Sequence, residues 1–310
     1  MPELEQLNTP ILFCVFNRLE TVKQSFLTIK KAKPKRLYIA ADGPRENKIG
    51  ESEQIKEVIS YIENNIDWNC EIHRNYSKTN LKSRGRISSA ISWALENENE
   101  VIIMEDDIVP SSDFFIFCQT MLDYYRDDDQ VMMVSGINFV KKYKMNEDYV
   151  FSSNPVTWGW ATWKRAWEKY DDSMSDWPQN KKNKVIDYVA KWPSRCFLYW
   201  NNKYTYNHEV DAWDFVWFYD MHKEHGLGIV PRENMVKNIG FDSELATHTS
   251  GKCKYDFTYG AYEFPLKKIT TIERCKEYDK AYFDLEYNGW RALWVIIKKV
   301  VLYIPKKILS

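Results

Sequence analysis

The residues best suited to chemistry in this 310-residue chain are three consecutive carboxylates, Glu105-Asp106-Asp107, in the segment VIIMEDDIVPSSDFF (101–115). They end a fully apolar run. Like charges at the mouth of a buried strand repel one another and lose hydration, and a bound divalent cation would offset both costs. Carboxylate oxygens are hard donors that suit Mg²⁺ or Mn²⁺, ions that also bridge phosphates. A solvated turn is the plainer reading of three acids, but the apolar strand before them argues against it. A second constellation is NLKSRGR (80–86), where Lys82, Arg84 and Arg86 supply positive charge in what reads as a loop. A third is VDAWDFVWFYD (210–220), with Asp211 and Asp214 three residues apart and on one face if the stretch is helical.

These groups need a scaffold, and the apolar pattern supplies one. PILFCVF (10–16), RLYIAA (36–41), CEIHRN (70–75) and EVIIM (100–104) read as strands. Between them, segments 20–30, 53–64 and 87–96 carry helical spacing, the clearest being Ile55, Val58, Ile59 and Ile62. A helix over 113–125 with Asp113 near its N-cap and a strand over 131–137 follow. Strands alternating with helices predict an α/β fold with a mostly parallel central sheet flanked by helices. In such sheets ligands bind beyond the carboxyl ends of the strands. Three of those ends are polar: Asn17-Arg18, Asp42-Gly43 and the acidic triplet. Beyond residue 151 the pattern turns irregular and rich in Trp, Tyr and Pro. It reads as a substrate-shaping region continuous with the first half.

The triplet, its loop and Asp113-Phe114-Phe115 resemble, in order, the metal-binding motif of GT-A glycosyltransferases. The likeness is greatest to the N-acetylglucosaminyltransferase I group and related bacterial family 2-like enzymes, and it spans roughly residues 10 to 250. It implies a Rossmann-like GT-A domain over 1–260, with a donor half at about 8–137 and an acceptor half at about 138–260. It implies that Asp106 and Asp107 hold the metal, with Glu105 beside the donor. Arg18 would approach the nucleotide phosphates or base, and Asp42 would hydrogen-bond the base, typically uracil, which points to a UDP-sugar. Lys82, Arg84 and Arg86 lie in the counterpart of a family loop beside the diphosphate. The Trp-Gly-Trp segment (158–160) resembles one near donor sugar and acceptor, so Trp158 and Trp160 could stack on a sugar face. Trp163 and Trp167 read instead as core packing. Trp213-Asp214 matches the family's Trp-Asp pair, which makes Asp214 the base of an inverting transfer and Asp211 its alternative. NIGFDSELATHT (238–249) resembles a closing element whose His248 could touch metal or diphosphate. Asp242 stands where many relatives have Gly, which leaves the geometry of that loop open.

Composition bounds the rest. Hydrophobic residues are 44% and charged residues 28%, so the chain should fold as a globular protein. Aromatics reach 15%, which fits ring stacking or simply an aromatic core. A net charge of −1 gives no global basic field, so no nucleic-acid partner is expected. Six dispersed cysteines form no zinc spacing and suggest a reducing compartment. The polar first ten residues do not read as a leader, and a cytoplasmic location is expected. Residues 261–310 read as an extension. Its last stretch, WRALWVIIKKVVLYIPKKILS (290–310), sets basic residues against apolar ones and could lie on an anionic membrane surface, which would suit a lipid-linked acceptor. The implied activity is transfer of a hexosyl or N-acetylhexosaminyl unit to a glycan hydroxyl, in bacterial surface polysaccharide synthesis. Alternatives are a sugar nucleotidyltransferase, though no Gly-rich phosphate loop follows the first strand, and a non-catalytic glycan binder of this fold. A glycoside hydrolase, whose paired acids need no metal, fits less well.

Overall fold

A computed structural model of the chain describes residues 6–140, 142–182, 185–242, 255–286 and 297. The first half alternates as the apolar pattern predicts. Its elements are β1 (Ile11–Val15), α1 (Leu19–Ala32), β2 (Arg36–Ala41), α2 (Glu51–Asn64), β3 (Glu71–Tyr76), α3 (Lys82–Asn97) and β4 (Glu100–Glu105). Then come a short β5 (Ile108–Pro110), α4 (Ser112–Tyr124) and β6 (Val131–Ser135). The second half adds β7 (Tyr149–Ser152), β8 (Trp160–Trp163), α5 (Lys164–Trp167), α6 (Trp177–Lys182), α7 (Ser194–Tyr206), α8 (Trp213–Lys223), β9 (Leu227–Pro231), β10 (Val236–Asn238) and α9 (Lys276–Glu286).

Eight strands make one sheet in the order β3-β2-β1-β4-β8-β6-β9-β7. The first four are mutually parallel, β8 runs antiparallel to both β4 and β6, and β7 is antiparallel to β9. This is a mixed α/β fold with a large central sheet flanked by helices, as expected. The sheet is buried on both faces. Along β4, Ile102 and Met104 pack with Val22 and Phe26 of α1 and Phe117 of α4. Val101 and Ile103 pack with Ile87 and Ile91 of α3 and Trp217 of α8. The period-2 alternation of a strand accounts for that division.

The parallel block places the site. Beginning at β1, the chain winds outward to β2 and β3, then crosses back to add β4 on the other side of β1. The order therefore reverses between β1 and β4, and their carboxyl ends splay apart into a crevice. Phe16 to Arg18 leave one wall and Glu105 to Asp107 the other. A two-stranded ribbon of β5 and β10 follows the acids, pairing Ile108 with Asn238.

The boundary that differs most from expectation is the start of α3. The helix expected from Ile87 begins at Lys82, so the basic segment is the first turn of α3 and not a loop. Polar residues and Gly85 mask the helical period there. Among the described residues, no helix is long and apolar enough to cross a membrane. His248 and the basic stretch 290–310 lie outside the described residues, apart from Ile297.

Candidate active site at the sheet switch point

The acidic triplet is fixed through its backbone. Ser25 of α1 donates its hydroxyl to the Asp106 carbonyl at 2.8 Å, and the Ile239 N–H reaches the Asp107 carbonyl at 2.9 Å. Gly240 stands against the Asp107 carboxylate so closely that a Cβ there would lie 2.3 Å from Oδ2. The side chains are held as firmly. Arg18 donates from Nε to Asp106 Oδ2 at 3.2 Å and from Nη2 to Asp107 Oδ2 at 3.0 Å, and Nη2 also contacts Asp106 Oδ1.

The acids share a low-dielectric setting. Burial, then the charges of Asp107, Asp106 and Asp214, push the Glu105 carboxyl well above the usual carboxylate range, which favours its neutral form. Burial likewise raises Asp106, to about 6, against the opposing pull of Arg18. The neighbouring Cys14 thiol is pushed up to about 12 by burial and by Glu105, so it stays protonated.

A cleft of about 280 Å³ opens beside these residues, walled by Arg18, Asp42, Lys82, Arg86, Glu105, Asp106 and Asp211. Asp42 is buried. Its Oδ1 accepts the Gly43 and Leu81 N–H groups, both at 2.9 Å, and Oδ2 accepts Asn80 Nδ2 at 3.0 Å. The Lys82 N–H also reaches this carboxylate. Burial raises the Asp42 pKa despite these hydrogen bonds. Lys82 and Arg86, four residues apart on α3, share the face toward the cleft. Arg84 points elsewhere, donating to Asp172 Oδ1 at 2.8 Å and the Thr205 carbonyl at 3.1 Å. Arg86 anchors to the Asn75 carbonyl at 2.6 Å, while its buried Nε has no partner among the described residues.

Two contributors were not legible in the sequence. Arg45 lines the cleft, gripped by the buried Glu51, whose Oε1 also accepts Asn17 Nδ2 at 3.0 Å. Asn80 joins the wall through Asp42. The position of Arg45, three residues past the acid that ends β2, was the available signal.

A second cavity, of about 320 Å³, is lined by Trp158, Asn201, Asn202, Asp214, Phe218 and His222 among others. The two candidate bases are thus separated: Asp211 faces the first cleft and Asp214 the second. They do not share a helix face, because α8 starts at Trp213 with Ala212 as its N-cap. Asp214 Oδ1 accepts the Phe215 N–H at 3.0 Å within that first turn.

The Trp-Gly-Trp segment is also split. Trp158 lines the second cavity and packs edge-on against Phe241 at 5.5 Å. Trp160 does not reach either cavity. It is 1% exposed and stacks on Trp213 at 5.5 Å in the core beneath the opposite sheet face. Its expected sugar-stacking role is therefore corrected to core packing. Gly159 is the cause: its φ of +68° breaks the strand alternation, so residues two apart do not share a face. Trp163 and Trp167 are buried as expected, with indole N–H groups on the Leu122 carbonyl and Ser92 Oγ. Asp113 serves structure, accepting the Tyr262 N–H at 3.0 Å, and it lies in the first turn of α4, close to the N-cap Ser111 as expected.

Among the described residues no group of three or more His, Cys, Asp or Glu side chains is arranged to hold a metal ion. Asp106 and Asp107 remain a fitting pair of hard donors, since Mg²⁺-like ions are commonly held by one or two carboxylates with substrate phosphates and water completing the shell.

No protein-family model and no curated protein matches the chain. Among solved structures it is similar to the mannosyltransferase PcManGT from Pyrobaculum calidifontis in complex with GDP-Man and Mn²⁺, at 10% identity, TM-score 0.40, over 72% of this chain and 70% of that one. It is similar to S. aureus TarS 1–349 at 9% identity and TM-score 0.33, over 57% of this chain and 49% of that one. A UDP-glucose pyrophosphorylase complexed with UDP-glucose is similar at 11% identity and TM-score 0.31, over 52% of this chain and 78% of that one.

Proposed function

We propose that this chain is an inverting, metal-dependent glycosyltransferase of the GT-A type, moving a sugar from a UDP-sugar to a hydroxyl of a glycan. One observation carries the reading. Asp106 and Asp107 stand at the crevice where the parallel strand order reverses, and Asp106 lines a cleft to which Arg18, Arg45, Lys82 and Arg86 bring positive charge. Opposed acids and cations around one space suit a metal–diphosphate ligand.

In this reading Asp106 and Asp107 hold a divalent ion, which when bound supplies charge neutralisation to the departing diphosphate. Lys82 and Arg86 bind diphosphate oxygens. Asp42 accepts the imide N–H of uracil, while Asn80 and the backbone fix its orientation. Trp158 offers a ring face to the acceptor sugar. Asp214 takes the proton of the acceptor hydroxyl as that oxygen attacks the anomeric carbon from the side opposite the leaving group, so the configuration inverts without a covalent intermediate. Residues 1–260 act as one catalytic unit. A lipid-linked acceptor in surface polysaccharide synthesis, met through residues 290–310, completes the proposal.

The test is a thermal-shift and hydrolysis screen of nucleotide sugars with and without Mn²⁺. A ligand that binds only the folded state raises its apparent stability. UDP-sugars should raise Tm in the presence of Mn²⁺, and slow donor hydrolysis should vanish on chelation. If no nucleotide sugar shifts Tm and none is turned over, the reading fails.

A further inference from the structure

Arg18 occupies the oxygens that a cation would need. Its guanidinium covers both carboxylate oxygens of Asp106 and Oδ2 of Asp107, and the side chains are only 14%, 6% and 17% exposed. We propose that Arg18 is a built-in counter-ion that makes cation binding and nucleotide-diphosphate binding depend on each other. The proposal rests on the transferase reading and adds a role for Arg18 that phosphate contact alone does not require.

Three physical steps lead there. First, a divalent ion and a guanidinium cannot use the same lone pairs, and in a nearly dry site their mutual repulsion is weakly screened. Second, the backbone of the acids is fixed, because Ser25 and Ile239 hold the carbonyls of Asp106 and Asp107, and Gly240 stands close against the Asp107 carboxylate. Arg18 is the part able to turn, being a long side chain in the connection between β1 and α1, with no side-chain bond capping that helix. Third, turning it away leaves a partly buried cation without its partners, which is costly unless an anion receives it. A diphosphate is such an anion, since phosphate oxygens accept a guanidinium in bidentate fashion. Arg18 already lines the cleft in which Lys82 and Arg86 wait for phosphate oxygens.

Each ligand thus removes an obstacle for the other. The cation displaces Arg18 from the acids, and the diphosphate takes it up. Such coupling is reciprocal, and values of about 5- to 150-fold are typical.

The experiment titrates the full chain with Mn²⁺, reading free Mn²⁺ by electron paramagnetic resonance, with no nucleotide, with UDP and with GDP. It compares the unmodified protein, Arg18→Gln and Arg18→Lys. The unmodified protein should bind Mn²⁺ at least about tenfold more tightly when a nucleoside diphosphate is present. Arg18→Gln, which leaves the acids without a counter-ion, should bind Mn²⁺ more tightly than the unmodified protein in the absence of nucleotide, and its coupling should fall several-fold, to what direct contact of the ion with the diphosphate supplies. Arg18→Lys keeps the charge but loses the planar fork, so its coupling should fall between the two. It also serves as the readout if Arg18→Gln does not fold. Mn²⁺ and nucleotide binding with coupling unchanged in these variants, or nucleotide-free Mn²⁺ affinity no higher in Arg18→Gln, overturns the proposal alone. Absence of Mn²⁺ binding in the unmodified protein under every condition overturns the transferase reading as well.

Discussion

The cleft beside the acidic triplet and the second cavity are built on different principles. The first cleft is made from strand ends of the parallel block, and ionic groups dominate its walls: Arg18, Asp42, Lys82, Arg86, Glu105 and Asp106. The second is made from helix faces and loops of the mixed half, and rings and amides dominate: Trp158, Phe215, Phe218, Tyr282, Asn201 and Asn202. Where strand ends converge, charges can be brought together at fixed spacing and partly offset one another. Where helices and loops meet, apolar rings fill the wall and only a few polar groups stay wet. A diphosphate suits the first environment and a hydroxylated ring the second.

Removing one of the acids proposed to hold the metal should have the largest effect. Asp107→Ala should lower transfer or donor hydrolysis by on the order of 10³-fold or more, because charge stabilisation of the departing diphosphate is lost. Stability should change little, and steady-state kinetics beside a denaturation curve checks both. Next, the two tryptophans of 158–160 should behave oppositely. Trp160→Ala should cost about 3–5 kcal/mol of stability, the range for emptying a buried aromatic site. Trp158→Ala should mainly raise the KM for the acceptor. Denaturant midpoints and acceptor titrations separate them. If Trp160→Ala is stable and raises the acceptor KM, the division between core and cavity is wrong.

The two candidate bases sharpen the comparison further. Asp214→Asn should reduce kcat at least about a hundredfold, as loss of a general base does. Asp211→Asn, on the donor side, should change chiefly the donor KM by about tenfold or less. A reversed pattern would move the chemistry from the second cavity to the first.

A further effect concerns pH and stability rather than turnover. His222, buried in the wall of the second cavity with Nε2 2.9 Å from the Ser153 carbonyl, has its pKa lowered by burial from 6.5 to about 4. Its folded-state pKa lies below the unfolded value, so folding favours the neutral ring. That stability is fully present above about 6.5 and is lost as pH falls toward 4. The drop should be about 2–3 kcal/mol at most across that window, at 1.36 kcal/mol per unit. Chemical denaturation between pH 7 and 4 should show a shallower loss in His222→Gln than in the unmodified protein.

What the sequence determined by itself was set by neighbours in the chain. Runs such as ILFCV and EVIIM are apolar over strand length, and Ile55, Val58 and Ile62 fall at helical spacing, so the alternation of strand and helix was readable. So was the position of Glu105-Asp106-Asp107 at a strand end, because covalent adjacency puts it there in any fold that buries 100–104. The first turn of α3 escaped because Lys82, Ser83, Arg84 and Gly85 show no apolar period.

Only the tertiary structure decided which side chains meet. Arg18 and Asp106 are 88 residues apart and pair because β1 and β4 lie side by side. Arg86 faces the cleft and Arg84 does not, because α3 packs on the sheet by the face that carries Ile87 and Ile91. Asp211 and Asp214 part because the helix begins between them, and Trp158 and Trp160 part because Gly159 takes a positive φ. Local pattern fixes where an element runs, but the direction of each side chain depends on the distant surfaces against which that element is packed.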